Sequence, residues 1–407
     1  MTRHIFTHPV MRRVCSFALR RMSSDARQMK LSPAFFHQCV TDIGVNFFTG
    51  VPDSLLSDYC AYVQVNVPET DHVIAANEGN AVGLAAGYHL ATGHPGMVYL
   101  QNSGLGNTVN PLMSLTSPKV YSIPLLLLIG WRGQPGVKDE PQHFAQGQIT
   151  PDMLKLMDIP CRILPRDETA AKMVVQEADQ HFKTKKSPFS ILVEASTFSE
   201  YKQPPLQANF PLLREEALKT VVDALEESDI IVATTGKLSR ELFEYRESKG
   251  EGHEKEFLTV GSMGHASSIA LGIAKHQLDR KVVCLDGDGA ALMHLCAMAT
   301  VGQRAPSNFK HIIFNNGCHD SVGGQPTEAS HHETFSLGGI ALACGYRKTL
   351  IAETAEELVT GTRQLLDTQG PVLMEIKLSV GSRSNLGRPT RTPIENKSDF
   401  MKYLGSA

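Results

Sequence analysis

The stretch "VVCLDGDGAALM", Val282 to Met293, places two aspartates and two glycines directly after an apolar run. The run is typical of a buried parallel strand, and "AALMHLCAMAT" after the glycines is typical of a helix that packs back on it. The aspartates therefore lie at the carboxyl end of a strand, where open α/β sheets bind ligands. Gly287 and Gly289 allow a backbone to approach a phosphate, but a carboxylate repels phosphate unless a divalent cation lies between them. The stretch predicts an α/β fold that holds phosphate through a metal.

A second polar interruption follows about one helix and one strand later. The sequence "FNNG" places Asn315 and Asn316 at the end of the apolar run "HIIF". Adjacent parallel strands end at the same sheet edge, so we expect Asp288 and Asn316 to emerge side by side. Carboxylate, amide and carbonyl oxygens suit Mg²⁺, which completes its octahedron with phosphate and water oxygens. A lone "GDG" is more often only a turn, whereas the two motifs together predict a magnesium site.

The composition is that of a large globular protein without a strong charge bias. A chain of 407 residues exceeds what one hydrophobic core usually serves, which favours two domains. The net charge of −3 gives no electrostatic reason to expect nucleic acid or a membrane surface as a partner. No apolar run approaches the ~20 residues that span a bilayer. The eight cysteines lack C-x-x-C and zinc spacings, and we interpret them as reduced thiols in an intracellular compartment.

Residues 1–30 differ in composition from the rest of the chain. They carry several arginines and a lysine against a single acidic residue, Asp25. An Arg-rich, Ser-containing and acid-poor segment is typical of a transit peptide, so we predict a mitochondrial targeting extension, and otherwise a cytoplasmic protein. A disordered basic tail, or an upstream start that precedes Met22, is the alternative.

From residue 31 onward, short apolar runs that end in Gly, Asn or Ser alternate with helical patterns. The proline-rich stretch "YKQPPLQANFPLL", residues 201–213, interrupts this rhythm, which resumes after it. Alternation of strands and helices predicts doubly wound parallel sheets. We therefore expect two α/β domains, residues 31–200 and 214–407, joined by a linker at 201–213.

The two polar motifs resemble the signature of thiamine diphosphate-dependent enzymes. The resemblance implies that Asp288, Asn316 and the main-chain oxygen of Cys318 bind Mg²⁺, and that the metal holds the cofactor diphosphate beside Gly287 and Gly289. It also implies that the first domain binds the cofactor pyrimidine and the second binds the diphosphate. A dinucleotide-binding turn is the remote alternative, but "GDGAAL" lacks the third glycine of that motif.

Thiamine diphosphate chemistry requires a carboxylate from the other domain. The cofactor's amino group acts as a base only in the imino tautomer, which a carboxylate hydrogen-bonded to the pyrimidine ring favours. The stretch "AANEGNAVGLAAGYHLATG" supplies Glu78 at a strand end, where it opens a small-residue helix with Asn77 or a neighbour as the cap. Taken alone, Glu78 is more often an ordinary acid in a first helical turn. The resemblance also implies that Met263 supports the bent cofactor and that Gly261 contacts the pyrimidine; a plain core methionine is the alternative.

Six stretches together narrow the resemblance to the phosphonopyruvate decarboxylases and, more loosely, the sulfopyruvate decarboxylases. They are "GVPDSLL", "NEGNAVGLAAGYHLATG", "QNSGLGN", "GWRGQPGVKDEPQH", "GSMGHASSIALGIA" and "HDSVGGQPT". The likeness runs from about residue 31 to about residue 380. It leaves no room for the middle domain of acetolactate synthases and pyruvate decarboxylases.

The resemblance implies decarboxylation of 3-phosphonopyruvate to phosphonoacetaldehyde and CO₂, a step of phosphonate biosynthesis. A sulfopyruvate decarboxylase, another 2-oxo acid decarboxylase or an acyloin-forming relative is the first alternative. A non-catalytic thiamine diphosphate-binding subunit is the second. Retention of Glu78, Asp288 and Asn316 argues against it, because a decayed site would be expected to lose at least one of them.

The substrate's extra anion needs a site of its own. The Gly- and Pro-rich stretch "GWRGQPGVKDEPQH" offers Arg132, Lys138 and His143 after an apolar run, a position typical of binding loops. Arginine suits a tetrahedral dianion because its guanidinium makes bidentate contacts. Solvated loop charge is the alternative, above all for Lys138, which stands beside two acids.

Three further residues are candidates for proton transfer. Asp53, in "GVPDSLL", either relays protons or caps a helix. His319 and Asp320 directly follow the metal loop, so either could donate the proton that follows loss of CO₂. Because Glu78 and the metal loop belong to different domains, we also predict a homodimer or larger homo-oligomer with active sites at the subunit interface. The only other partner expected is a small 2-oxo acid.

Overall fold

The computed structural model describes residues 29–204, residue 206 and residues 210–406. The predicted targeting extension therefore lies outside the described residues, apart from Met29 and Lys30, as does part of the predicted linker. Within the described ranges, no helix combines the length and the apolar character needed to cross a membrane. The seven cysteines in these ranges are all free thiols.

Strands and helices alternate along the first half of the chain. Its six strands are β1 (Phe48–Gly50), β2 (His72–Ile74), β3 (Gly96–Gln101), β4 (Leu125–Gly130), β5 (Cys161–Ile163) and β6 (Phe189–Val193). Its helices are α1 (Pro33–Asp42), α2 (Ser57–Asn66), α3 (Glu78–Thr92), α4 (Leu105–Pro111), α5 (Pro141–Leu156) and α6 (Glu168–Lys185). Every strand pairing is parallel, and the sheet order is β2-β1-β3-β4-β6-β5.

The second half repeats this alternation. Its strands are β7 (Ile230–Ala233), β8 (Glu256–Leu258), β9 (Val282–Gly287), β10 (Phe309–Asn315), β11 (Lys348–Ala352) and β12 (Val372–Lys377). Its helices are α7 (Arg214–Asp223), α8 (Lys237–Lys249), α9 (Ala266–Ala274), α10 (Asp288–Met293), α11 (Ala297–Arg304), α12 (Leu337–Cys344), α13 (Ala355–Asp367) and α14 (Pro393–Leu404). All pairings are again parallel, in the order β11-β12-β10-β9-β7-β8.

The two sheets share one topology. Read from its other edge, the second sheet runs β8-β7-β9-β10-β12-β11, which repeats the order of the first sheet strand for strand. In both sheets the chain reverses its winding between the first and third strands. Ligands of open α/β sheets bind beyond the carboxyl ends of the strands at such a switch point. The predicted fold class, two doubly wound α/β units, is confirmed.

Each sheet is covered on both faces because its central strands are apolar throughout. In β4, Leu126 and Leu128 belong to the cluster that packs under α1, α2 and α6, while Leu125 and Leu127 belong to the opposite cluster under α3, α4 and α5. The second sheet likewise lies between two apolar clusters. Burial on both faces removes the polar alternation of a half-exposed strand, which is why these strands are continuous apolar runs in the sequence.

Two local predictions differ from the structure. The segment "AALMHLCAMAT" is not one helix, because α10 ends at Met293 and His294 adopts non-helical φ/ψ angles of −128° and 51° before α11 begins. The apolar runs that predict strands in the second half are "DIIVATTG", "EFLTVGSMG", "KVVCLDGDG", "HIIFNNG" and "PVLMEIKL", and they do not include β11. That strand lies at the edge of its sheet and four of its five residues are partly or fully exposed, so it lacks the apolar signal of the central strands.

Candidate active site

The predicted metal site lies where β9 and β10 end side by side. Phe314 of β10 is in register with Gly287 of β9, so Asp288 and Asn316 follow neighbouring strand ends. The Asp288 carboxylate is fully buried and accepts hydrogen bonds from the Thr327 hydroxyl, at 2.6 Å, and from the backbone N–H of Asn316. The structure therefore brings Asp288 and Asn316 together, as the motif spacing predicted.

The electrostatics of this turn suit a hard cation. Burial raises the pKa of Asp288 to about 6, and hydrogen bonds from Thr327 and the backbone only partly offset the effect. A divalent cation would stabilise the buried carboxylate, since an opposite charge lowers a carboxyl pKa. Burial also raises the pKa of the Cys318 thiol to about 12, so the thiol stays protonated and leaves its carbonyl as the available donor. Carboxylate, amide and carbonyl oxygens fit Mg²⁺.

The two glycines of this turn differ in the space beside them. A Cβ at Gly287 would meet no atom within 4 Å, whereas one at Gly289 would lie 3.2 Å from His319 Nδ1 and 3.4 Å from Met263 Cε. Met263 and His319 therefore border the same space beside the predicted metal site. We call this site, Asp288 and the segment Asn316–Cys318, the metal turn. Gly261 has φ of +69°, a left-handed conformation that favours glycine, and its N–H donates to Thr235 Oγ1 at 3.1 Å.

Glu78 opens α3 in the first unit, and Asn77 caps that helix by accepting a hydrogen bond from the Gly79 N–H at 2.8 Å. The Glu78 side chain is buried and accepts a 2.7 Å hydrogen bond from Asn107 Nδ2. Burial raises the pKa of Glu78, while the Asn107 hydrogen bond opposes this rise. A side chain at Gly104 would collide with the carboxylate, so the glycine allows Glu78 its position.

The segments that carry Glu78 and the metal turn approach each other within one chain. Asn77 Nδ2 donates to the Met293 carbonyl at 3.4 Å, which joins the start of α3 to the end of α10. A Cβ at Gly261 would lie 3.2 Å from Gln142 Cβ, beside the predicted substrate residue His143. Both predicted halves of the site therefore face the boundary between the two α/β units.

Asp53 follows β1 and is fully buried. Its Oδ2 accepts the Leu55 N–H at 2.9 Å, whereas its Oδ1 has no hydrogen-bond partner. Asp53 is not a helix cap, because α2 begins at Ser57 with Leu56 at the cap position. Burial raises the pKa of Asp53 to about 6, and Arg132 opposes this rise. An unpaired carboxyl oxygen with such a pKa suits proton exchange near neutral pH.

The other two proton-transfer candidates have different surroundings. Burial lowers the pKa of His319 to about 4, so its imidazole is neutral at pH 7. Asp320 forms ion pairs with Arg214 at 3.0 Å and with Lys237 at 3.1 Å. Arg214 is also paired with Glu241, which ties the Asp320 segment to α7 and α8. Asp320 therefore resembles an anchor of the loop more than a proton donor.

Arg132 and Lys138 lie in the loop after β4, whereas His143, which the sequence placed in the same loop, lies in the first turn of α5; the three residues differ in exposure. Arg132 makes a bidentate ion pair with Asp139, at 2.8 and 2.5 Å, and its remaining Nη donates to Ser54 Oγ. His143 is buried with its Nδ1 unpartnered, and burial lowers its pKa to about 4, with the Arg132 charge acting in the same direction. Lys138 is exposed. The guanidinium is thus already engaged by an internal anion, which the sequence did not indicate.

A further group of buried donors lies in the same two strands. Cys284, Asp286 and His311 present donor atoms within 4.8 Å of one another. His311 Nε2 lies 3.5 Å from Asp286 Oδ2, and its Nδ1 lies 3.1 Å from the Tyr346 hydroxyl. Three donors are one fewer than a closed structural zinc site uses. We interpret them as a buried polar chain beneath the metal turn.

Comparison with known families agrees with this architecture. Residues 29–156 match the model of the thiamine pyrophosphate enzyme N-terminal TPP binding domain, and residues 234–376 match that of the C-terminal TPP binding domain. The metal turn lies in the second match and Glu78 in the first.

Similar curated proteins extend over almost the whole chain. The phosphonopyruvate decarboxylase of Streptomyces viridochromogenes is 35% identical over 90% of this chain and 93% of its own length. The phosphonopyruvate decarboxylase of Streptomyces hygroscopicus is 36% identical over 89% and 92%. The sulfopyruvate decarboxylase of Methanosarcina acetivorans is 29% identical over 89% and 94%. The chain therefore belongs to the thiamine pyrophosphate enzymes, and within them to the family of the phosphonopyruvate decarboxylases.

Proposed function

We propose that this protein is a carboxy-lyase that uses thiamine diphosphate and Mg²⁺ to convert 3-phosphonopyruvate into phosphonoacetaldehyde and CO₂. The observation that carries the proposal is similarity to two phosphonopyruvate decarboxylases over about nine tenths of the chain. The geometry supports it, because Glu78 and the Asp288–Asn316 turn are both present and buried. When bound, thiamine diphosphate supplies the nucleophilic carbon and the electron sink for loss of CO₂.

The second unit holds the cofactor in this proposal. Asp288, Asn316 and the Cys318 carbonyl bind Mg²⁺, and Gly287 and Gly289 leave room for the diphosphate. Met263 borders the same space as Gly289 and would support the bound cofactor, and Gly261 would contact its pyrimidine. These assignments use oxygen donors for the metal and an apolar side chain for the ring, as their chemistry requires.

In this proposal, proton transfer and hydrogen bonding to the cofactor and substrate are assigned to Glu78 and Asp53 of the first unit and to His319. The raised pKa of Glu78 favours a carboxyl group that shares a proton with a ring nitrogen. Asp53, with a pKa raised to about 6 and a carboxyl oxygen that has no hydrogen-bond partner, would exchange protons with the bound substrate. Neutral His319 accepts or donates hydrogen bonds there, while Asp320 holds the loop through Arg214 and Lys237.

The substrate's phosphonate binds at Arg132 and Lys138 of the loop after β4 and at His143 of α5. The phosphonate dianion competes with the Asp139 carboxylate for the Arg132 guanidinium. The phosphonate carries two negative charges and the carboxylate only one, so the guanidinium favours the phosphonate. Pyruvate has a hydrogen atom where this substrate has its phosphonate, so the buried His143 Nδ1 stays unpaired and the Arg132 guanidinium stays with Asp139. A site that pairs such groups with a substrate anion disfavours the analogue that lacks the anion by several kcal/mol.

We expect kcat/KM for phosphonopyruvate to exceed that for pyruvate by at least about a hundredfold, because ~1.4 kcal/mol corresponds to a factor of ten. Sulfopyruvate, which carries one charge fewer than the phosphonate, should lie between them. Steady-state assays of CO₂ release from the three acids measure the order. Equal rates with pyruvate and phosphonopyruvate would contradict the substrate assignment, and fastest turnover of sulfopyruvate would favour the sulfopyruvate decarboxylase alternative, to which the Methanosarcina relative points.

A pair of arginine variants controls this test. Arg132→Met should weaken phosphonopyruvate far more than pyruvate and so shrink the preference. Arg162→Met removes another bidentate arginine, which pairs with Glu177 on an exposed surface, and should leave the preference unchanged. If Arg132→Met lowers both substrates equally, Arg132 is structural and the anchor is Lys138 or His143.

We also propose a homodimer that covers the outer face of α3 and α4. Gly83 and Gly87 would meet no atom within 4 Å if they carried a Cβ; Leu84 and Leu90 of the same helix are exposed, as is Met113 just after α4. This face combines small residues that allow close approach with apolar side chains that gain from burial.

Sedimentation velocity should therefore find a dimer or a larger assembly. Leu84→Arg should shift the protein toward monomer, because the new charge would be buried without a partner. Leu156→Arg, at an equally apolar but still more exposed position on α5, should leave the assembly unchanged. A monomeric wild-type protein at micromolar concentration would contradict the proposal.

Two sequence predictions remain proposals. The boundaries at 31–200 and 214–407 coincide with the two alternating series of strands and helices, which supports them. The composition of residues 1–30 supports mitochondrial import.

A further inference from the structure

We propose that Thr327 is a positioning residue of the metal site, a role it performs through Asp288. The proposal rests on the proposed function only in so far as Asp288 is the metal ligand. Thr327 is buried, and its hydroxyl donates a 2.6 Å hydrogen bond to Asp288 Oδ2. A hydrogen bond to a charged group is among the stronger ones in proteins.

Thr327 also contacts the other half of the metal turn. Its backbone N–H donates to the Gly317 carbonyl at 2.9 Å, between Asn316 and Cys318. The neighbouring pair Cys318 and Pro326 forms an isolated antiparallel bridge, and the His319 N–H donates to the Gln325 carbonyl at 2.8 Å. The chain thus leaves the metal turn after Cys318, folds back and returns to the turn at Thr327.

This path makes Thr327 a brace between two segments that belong to different strands. Asp288 follows β9, whereas Gly317 follows β10, and Thr327 is bonded to both. The brace fixes the orientation of the Asp288 carboxylate relative to the Asn316–Cys318 turn. Partners that orient a metal ligand in this way typically contribute 10- to 100-fold in metal affinity.

The role requires the hydroxyl and not merely the volume of the side chain. Thr327→Val keeps the branched shape and removes the donor, and Thr327→Ser keeps the donor and removes the methyl group. We expect Val at this position to weaken Mg²⁺ binding by about 10- to 100-fold and Ser to restore most of the affinity. The backbone bond to Gly317 is retained in both variants.

Isothermal titration of Mg²⁺ into the full-length protein, with thiamine diphosphate present at a fixed concentration, measures the effect without turnover. Thr362→Val is a matched control, because Thr362 is equally buried in the same unit and its hydroxyl bonds the Leu358 carbonyl at 2.7 Å, away from the turn. It should bind Mg²⁺ as the wild type does. Asp288→Ala calibrates loss of the ligand itself.

The outcomes separate the inference from the proposals on which it rests. If Asp288→Ala binds Mg²⁺ like the wild type, the metal site is assigned wrongly. None of these titrations tests which 2-oxo acid is the substrate. If Asp288→Ala loses the metal but Thr327→Val retains wild-type affinity, Thr327 does not position the ligand. Equal losses in Val and Ser variants would assign the effect to packing and also overturn the inference. Should the Val variant not fold, comparison of Thr327→Ala with Thr327→Ser in the same titration isolates the hydroxyl, because both variants lack the methyl group; equal Mg²⁺ affinity of the two would overturn the inference.

Discussion

Replacing Glu78 with Gln is expected to lower kcat by about 10²- to 10⁴-fold, the range that a positioned acid or base contributes. The amide cannot share a proton with the pyrimidine ring as the carboxyl group does, so it no longer favours the imino tautomer. Gln has nearly the same shape, and Asn107 Nδ2 can still donate to its carbonyl oxygen. Binding of thiamine diphosphate, measured by titration calorimetry, should therefore change little while turnover collapses.

A second glutamate in the same local setting is the control for this change. Glu168 is the first residue of α6 and follows the capping residue Asp167, as Glu78 follows Asn77, but it is exposed. Glu168→Gln removes only a first-turn charge, which is worth ~0.3–1 kcal/mol of stability. It should leave kcat unaltered. Near-normal turnover of Glu78→Gln at saturating cofactor would show that Glu78 is not the catalytic carboxylate.

Asp288→Ala is expected to abolish cofactor binding rather than the chemical step. Without the carboxylate the turn loses its charged ligand, and the metal can no longer bridge the protein to the diphosphate. A ligand present at a hundred times its Kd stabilises the folded state by about 2.7 kcal/mol. Thermal unfolding with and without Mg²⁺ and thiamine diphosphate should therefore show stabilisation of the wild type and none of the variant.

The control for this prediction is another buried aspartate of the same unit. Asp229 is buried, and burial raises its pKa. It precedes β7 and therefore lies at the amino ends of the strands, whereas the metal turn lies at their carboxyl ends. Asp229→Ala should lower the stability of the protein without cofactor and yet keep the full cofactor-induced stabilisation. If Asp288→Ala were stabilised as much as the wild type, the cofactor would be held by other residues.

The sequence alone was sufficient for the fold class and for the approach of Asp288 to Asn316. Both depend on short-range patterns: apolar runs that mark strands buried on two faces, and polar motifs directly after two of them. Because parallel neighbours end at one edge, the spacing of "GDG" and "NNG" was enough to predict that Asp288 and Asn316 meet. The exposed edge strand β11 lacks an apolar run and was missed for that reason.

The partners of the candidate site residues could be found only in the folded chain. The sequence context of Arg132 favoured substrate binding, yet in the structure Arg132 is paired with Asp139. The context of Asp320 favoured proton transfer, yet Asp320 is paired with Arg214 and Lys237. The side-chain contact between Thr327 and Asp288 joins residues 39 positions apart. Local sequence patterns specify strands, turns and their order, whereas such contacts depend on the path of each loop across the sheet edge, where side-chain packing and ion pairing are decided by distant parts of the chain.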